Sequence, residues 1–269
     1  MNDVTPSEHL VLIDGLNIVR RVYEANPAPD SVDKAQTAVR NSLSSFRRVL
    51  DEHKPTHVLA PFDYGGSTWR HELYPLYRQK RTPMPAELRD VLPLMYEKLQ
   101  AIGIPTISVP GVEADDVLAT VFGHWVGRPT AAPDAAATVV STDKDLAYLA
   151  AKGARIRDHF NMVWRDSDWI VGKFGVTPDL LHDLLALTGD TSDDIPGVPS
   201  VGIKTAAKLL NTYGSLDGVL ANAHQVKNQL GVKLRESTDI VALSRKLVAF
   251  KTDMQLGLTW RSLRYSPAG

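Results

Sequence analysis

Three short apolar runs in this chain each finish on an aspartate: HLVLID at Asp14, THVLAPFD at Asp63 and ATVVSTD at Asp143. An apolar run without polar alternation is the pattern of a strand buried on both faces, as in a parallel sheet covered by helices. The chain between these runs supplies the covering. Residues 35–50, 86–101 and 113–125 place apolar side chains at helical spacing. Strand, helix and strand in succession predict an α/β fold, a mostly parallel sheet with flanking helices. Ligands of such sheets gather outside the carboxyl ends of the strands, so the three aspartates should share one crevice.

Bulk composition excludes more than it assigns. A chain of 269 residues can bury a full core, as one large domain or as a main domain with an appendage. The absence of cysteine rules out disulfides and thiolate metal sites and suits a reducing, cytoplasmic setting. The opening MNDVTPSEHL carries acids and no long apolar run, so no secretory signal is expected. No stretch approaches the length of a membrane span. The formal net charge of -1 does not advertise a nucleic-acid partner, yet a compact acidic site could cancel a basic surface elsewhere.

Two stretches interrupt the alternation. YGGSTWRHELYPLYRQKRTPMPAELRD, after the second strand, is polar, aromatic, basic and too long for an ordinary connection. GRPTAAPDAAA reads as a surface loop. Beyond Trp169 the pattern is almost wholly helical to Phe250, which predicts a helical subdomain.

Nine acids stand out: Asp14, Asp63, Glu113, Asp115, Asp116, Asp143, Asp145, Asp190 and Asp193. Glu113 and Asp116 are three residues apart and are expected on one helix face, with Asp115 roughly a third of a turn round. Asp190 and Asp193 repeat that spacing. Singly, each has an ordinary reading as a helix cap or turn former. Jointly those readings fail, because separate caps have no reason to converge. Gathered carboxylates need cations to neutralise them, and an oxygen-only donor set selects a hard ion such as Mg²⁺ or Mn²⁺.

GVPSVGIKTAAKLL runs from a Gly/Pro turn into a helix bearing Lys204 and Lys208. Gly197 and Gly202 would let backbone amides approach an anion, and a helix N-terminus attracts phosphate. An ordinary turn between two core helices fits these residues equally well. YRQKR, Tyr77 to Arg81, is either a solvated charge run or a surface for phosphates and stacked bases.

Taken in order, LVLIDGLN, FDYGGSTWRHELYPLYRQKRTPMP, GVEADDVLATV, VVSTDKDLAYL and GDTSDDIPGVPSVGIKTAAKLL resemble the 5′-nuclease family. That family includes flap endonucleases and the 5′-nuclease domain of bacterial DNA polymerase I. The likeness runs from about Leu10 to Phe250. No polymerase portion follows, so a stand-alone enzyme is expected. RIRDHFNMVW and the short arch segment are similar to the bacterial exonuclease IX branch.

The resemblance implies a PIN-like core over residues 1–175, with a helical arch at about 66–89. A helical DNA-binding subdomain would follow over 176–269, its helix–three-turn–helix (H3TH) element at about 184–210 and its hairpin at Ser200 to Thr205. It maps metal ligands onto the nine acids, in two or more divalent sites. Asp14, Asp63, Asp115 and Asp116 would serve the first, supported by Glu113. Asp143, Asp145, Asp190 and Asp193 would serve the second. Asp14 and Asp116 would be catalytic, with Arg78 and Arg81 steadying the scissile phosphate. DNA contacts map onto Tyr77, Lys80, Ser200, Val201, Gly202, Ile203, Lys204, Thr205 and Lys208. A K⁺ ion in the hairpin would rest on carbonyls of Leu187, Thr188, Pro196, Val198 and Val201.

Departures from the family pattern are specific. Exonuclease IX lacks the second TDKD aspartate and the GDTSDD acids, whereas this chain keeps them, which favours two-metal chemistry. The usual arch motif Tyr-Lys-x-x-Arg has Arg78 in place of its lysine. Ser200 replaces a hairpin glycine, and Asp194 stands where asparagine is common, adding charge near the DNA path. The expectation is a monomeric, cytoplasmic, Mg²⁺- or Mn²⁺-dependent nuclease of DNA replication or repair. It would hydrolyse phosphodiesters at 5′ flaps or 5′ ends of branched DNA. The alternatives are a non-catalytic junction-binding protein of the same fold and a PIN-type RNA nuclease.

Overall fold

The computed structural model describes residues 7–267; residues 1–6, part of the segment read above as no secretory signal, lie outside it with the last two. Six strands form one sheet: β1 (His9–Ile13), β2 (His57–Pro61), β3 (Thr106–Ile107), β4 (Ala136–Val140), β5 (Arg155–Asp158) and β6 (Val163–Trp164). Their order is β3-β2-β1-β4-β5-β6, and every pair is parallel except β5 with β6. Leu12 of the central strand is in register with Leu59 on one side and Val139 on the other. The three strands therefore end nearly level, and the chain beyond each emerges along one edge of the sheet.

Alternation along β1 divides the core. Val11 and Ile13 enter a cluster with Phe46, Phe62 and Met95, under α1 (Gly15–Glu24), α2 (Val32–His53) and two later helices. Leu10 and Leu12 enter another with Phe122 and Trp125 of α6 (Ala114–Val126). Between β2 and β3 lie α3 (Trp69–Leu73), α4 (Ala86–Asp90) and α5 (Leu92–Ala101). The helix expected over 86–101 breaks at Val91, because Pro93 in the first turn of α5 cannot donate to the preceding turn. The arch is correspondingly modest, two five-residue helices joined by turns.

After β4 a 3-10 helix, Asp145–Lys152, leads through β5 and β6 to a helical unit. It comprises α7 (Ser167–Phe174), α8 (Leu181–Thr188), α9 (Ile203–Tyr213), α10 (Leu216–Ala221), α11 (Asn228–Glu236) and α12 (Thr238–Val248). Leu184, Leu187, Val198, Leu210 and Val219 form its core. The chain after α12, expected with this unit, returns instead to the sheet. Phe250, Met254, Leu256, Leu258, Trp260 and Leu263 pack on the α6 side. There Val58 N donates to Leu263 O (2.8 Å) and Tyr265 N to Thr56 O (2.8 Å). This stretch lacks a helical period and runs as an extended strap. Among the described residues no helix is long and apolar enough to cross a membrane.

Candidate metal centre and nucleic-acid interface

The carboxyl edge of the sheet opens into a cleft of about 290 Å³ lined by Asp14, Asp63, Glu113, Asp115 and Asp143, together with Arg20, Arg21, Arg78 and Arg81. Each acid is fixed by local geometry. Asp14 caps α1, accepting from Asn17 N (3.1 Å), and also takes the Ser141 hydroxyl (2.8 Å). Asp63 accepts from Ala114 N (2.8 Å), which ties β2 to the start of α6. Asp143 accepts from Asp145 N (2.9 Å). None of Asp14, Asp63, Asp115 and Asp143 forms an ion pair with a basic side chain among the described residues, where other acids do. Burial, aided by Asp63 and Asp143 and opposed by its hydrogen bonds, pushes the Asp14 carboxyl up to about 7. Burial and the same neighbours, with Asp14, raise Asp115 well above the ordinary range.

Asp116 does not join them, and its expected place as a catalytic ligand is corrected here. Its side chain is 0% exposed. Arg70 Nη1 and Nη2 donate to its two oxygens (2.8 and 2.9 Å), as do Trp69 Nε1 (2.9 Å) and Lys251 N (2.9 Å). Arg70 also donates to Leu247 O and Ala249 O, so this pair staples the arch, α6 and the strap together. The reason is the helix step: Asp115 and Asp116 are about 100° apart, so only one of them can face the cleft. Asp116 lies with Glu113 on the side of Arg70, whose Nη1 is 2.8 Å from Asp116 and 3.5 Å from Glu113. Glu113 remains in the cleft wall, holding Thr68 Oγ1 (3.0 Å), Tyr77 OH (3.1 Å) and Arg78 Nη1 (3.0 Å).

A second group forms where the 3-10 helix meets the loop before α9. Asp145, Asp190 and Asp193 each offer an oxygen within 4.8 Å of the others. Asp145 Oδ1 is buried without a hydrogen-bond partner, and all donors are hard oxygens, so the group fits a divalent ion. Burial and the Asp143 charge push Asp145 up to about 7. Burial opposes ionisation of Asp190 too, but Lys144 and Ser192 hold its carboxyl below the usual range. Arg78 bridges the two groups, with Nη1 on Glu113 and Nε 3.0 Å from Asp193 Oδ1. Arg81 lines the cleft beside it.

Tyr77 is a second correction. It was expected to touch DNA, but it is 2% exposed, its ring in the helical core and its hydroxyl on Glu113 and Asp193. Lys80 is exposed, and its backbone amide (2.8 Å) and ammonium (3.3 Å) both engage Asp194. The charge at Asp194 is thus paired with the arch through Lys80.

In the hairpin, Gly197 is needed for packing, because a Cβ there would lie 2.3 Å from the Thr188 carbonyl carbon. Gly202, the N-cap of α9, is open on all sides. Ser200, Gly202, Ile203, Lys204 and Lys208 are exposed and Thr205 is half-buried, so α9 presents its first amides and two lysines to solvent. Val201 is the exception: it is buried, and its amide donates to Val198 O, so it shapes the turn and offers DNA no contact. Leu187, Thr188, Pro196, Val198 and Val201 lie on segments held together by Val198 N donating to Leu187 O (2.8 Å).

Residues that the motifs alone did not single out include Arg70, Ser141, Lys144 and Lys233, whose ammonium donates to Ser200 Oγ (3.0 Å). Lys144 had a signal, standing between two candidate ligands; Arg70, one base in a mixed run, had none.

Two family models match the chain. A family described as 5′-3′ exonuclease, N-terminal resolvase-like domain, matches residues 9–175, and 5′-3′ exonuclease, C-terminal SAM fold, matches residues 176–269. A protein named Flap endonuclease Xni from Aeromonas salmonicida (strain A449) is 38% identical over 264 residues, covering 97% of each chain. Its namesake from Vibrio cholerae serotype O1 is 35% identical over 263 residues, 97% of this chain and 98% of its own. Among solved structures, T5 5′-exonuclease with bound zinc has a TM-score of 0.75 at 20% identity, covering 91% of this chain and 90% of that one. The catalytic core of Rad2 in complex with DNA substrate has a TM-score of 0.55 at 17% identity, covering 95% and 82%.

Proposed function

The chain belongs to the 5′-3′ exonuclease family, and from that membership we propose that it hydrolyses DNA phosphodiester bonds at 5′ flaps or 5′ ends, using Mg²⁺ or Mn²⁺. The observation that carries this reading is one cleft lined by Asp14, Asp63, Asp115 and Asp143, beside Asp145, Asp190 and Asp193, the group among the described residues whose oxygens already lie within 4.8 Å of one another. Divalent ions held by these residues would supply an activated water and charge neutralisation at the leaving oxygen.

The chain's own residues do the rest. The first four acids would hold one ion and the other three the second; Asp143, expected with the second group, lines the cleft of the first. Glu113 stays buried and fixes Arg78 through a 3.0 Å ion pair. Arg78 and Arg81 meet the scissile phosphate at the cleft. The open start of α9, with Lys204 and Lys208, takes duplex phosphates some distance from the cut. A K⁺ ion on the Leu187, Thr188, Pro196, Val198 and Val201 carbonyls would reinforce that grip. Such contacts reach backbone and shape, so cutting should depend on structure and little on sequence.

A labelled 5′-flap duplex incubated with Mg²⁺, Mn²⁺ or EDTA, using wild type and Asp115→Ala, tests the proposal. Metal-dependent cutting by the wild type alone is expected, with DNA flaps preferred over RNA flaps. A wild type that never cuts defeats the enzyme reading, and a fully active variant defeats the site.

A further inference from the structure

The two acidic groups differ in how the chain itself compensates them. Asp14, Asp63 and Asp143 receive hydrogen bonds only from amides and a hydroxyl, and they and Asp115 form no ion pair with a basic side chain. In the other group every acid faces one. Lys144 Nζ lies 2.5 Å from Asp190 Oδ2 and 3.6 Å from Asp145 Oδ1, and Arg78 lies 3.0 Å from Asp193. Two cations thus stand against three carboxylates, where the four acids of the first group have none.

Lys144 is built to occupy this position and to leave it. It sits in sequence between two of the acids, its side chain is 33% exposed, and a lysine ammonium is a compact charge on a flexible stem. It also leaves Asp145 Oδ1 without a hydrogen bond. The ammonium offsets the charge of the group without completing its coordination.

We propose that Lys144 is a built-in counter-ion of the second metal site, which holds Asp145 and Asp190 together in the ion-free protein and gives way when a divalent ion enters. The second site then fills after the first and more weakly, because its ion must displace a charge already in place. This rests on the metal-dependent reading above, and the test separates the two.

Mn²⁺ binding to the whole protein is followed by electron paramagnetic resonance and calorimetry, for wild type, Lys144→Met, Lys144→Arg and Asp145→Asn. A tighter and a weaker class are expected in the wild type. Lys144→Met should tighten the weaker class by about tenfold, the scale of an ordinary coupling between competing ligands, and leave the tighter class unchanged. Lys144→Arg should not tighten it, and Asp145→Asn should abolish it. Lys144→Gln gives the same reading should the methionine variant fail to fold. A weaker class that is unchanged or weakened without the ammonium overturns the proposal, as do equal classes in the wild type. Flap cutting by the same wild-type sample assigns the failure. A protein that cuts but shows no tightening loses only the counter-ion, whereas one that neither binds Mn²⁺ nor cuts loses both.

Discussion

Asp115 and Asp116 are adjacent in sequence, and the roughly 100° step of a helix turns one into the cleft and the other into the core. Removing each charge should therefore have opposite effects. Asp116→Asn breaks a buried pair with Arg70 and should cost about 3–5 kcal/mol in urea unfolding. Asp115→Asn relieves an uncompensated charge, so its melting temperature should hold or rise while flap cleavage falls at least about a hundredfold. Equal destabilisation by both would refute the assignment. A pH effect belongs to the same acids. Asp14 and Asp145 stand at about 7 in the folded protein, against an ordinary 3.8. Between those values the folded state holds the extra protons, so the ion-free protein loses stability from these groups as pH rises through 7. Divalent ions need the ionised acids, so Mn²⁺ should raise the melting temperature more at about pH 8 than at about pH 6. Burial depresses His53 to about 4 and His182 to about 3, which gives the opposite slope in acid. Those terms cancel in the difference with and without Mn²⁺, the quantity that differential scanning fluorimetry should report.

At the scale of elements, the arch is tied down by the loop that precedes the hairpin. Arg78 N donates to Asp193 O (2.9 Å), and Lys80 N to Asp194 Oδ2 (2.8 Å). Asp194 adopts φ +53°, a left-handed conformation that costs a non-glycine residue about 1 kcal/mol. Its two bonds to Lys80 offset that cost. Asp194→Gly should speed amide exchange at Lys80 by about tenfold, the worth of one hydrogen bond, with little change in melting temperature, because glycine adopts this φ without strain. Unchanged exchange would mean that Asp193 alone holds the arch. YRQKR was legible as a basic aromatic run, but nothing in it marked Tyr77 as the residue turned inward. A non-helical turn has no period from which to read direction. The shared side of Glu113 and Asp116 was legible from their spacing, but not that Arg70 would occupy it. The hairpin was legible only in part, because Gly202, Lys204 and Lys208 fit an ordinary turn between core helices equally well and the family likeness alone separates the two.

Across the whole molecule, the acidic cleft and the open start of α9 belong to two units that the strap after α12 ties together. The strap lies along β2 through Val58, Thr56 and Leu263, while Arg70 binds its start to Asp116. The sheet and its crevice could be read directly from three buried runs ending in aspartate, since strand burial and strand end are both local signals. The strap could not, because an extended segment with no period gives no address. Two acidic groups, unequal in their own compensation, are each proposed to hold a divalent ion at this joint. Anomalous scattering from crystals grown with Mn²⁺ measures this directly. One peak is predicted among Asp14, Asp63, Asp115 and Asp143, and a second, of lower occupancy, among Asp145, Asp190 and Asp193. A peak on Asp116, or an empty first group, would contradict it.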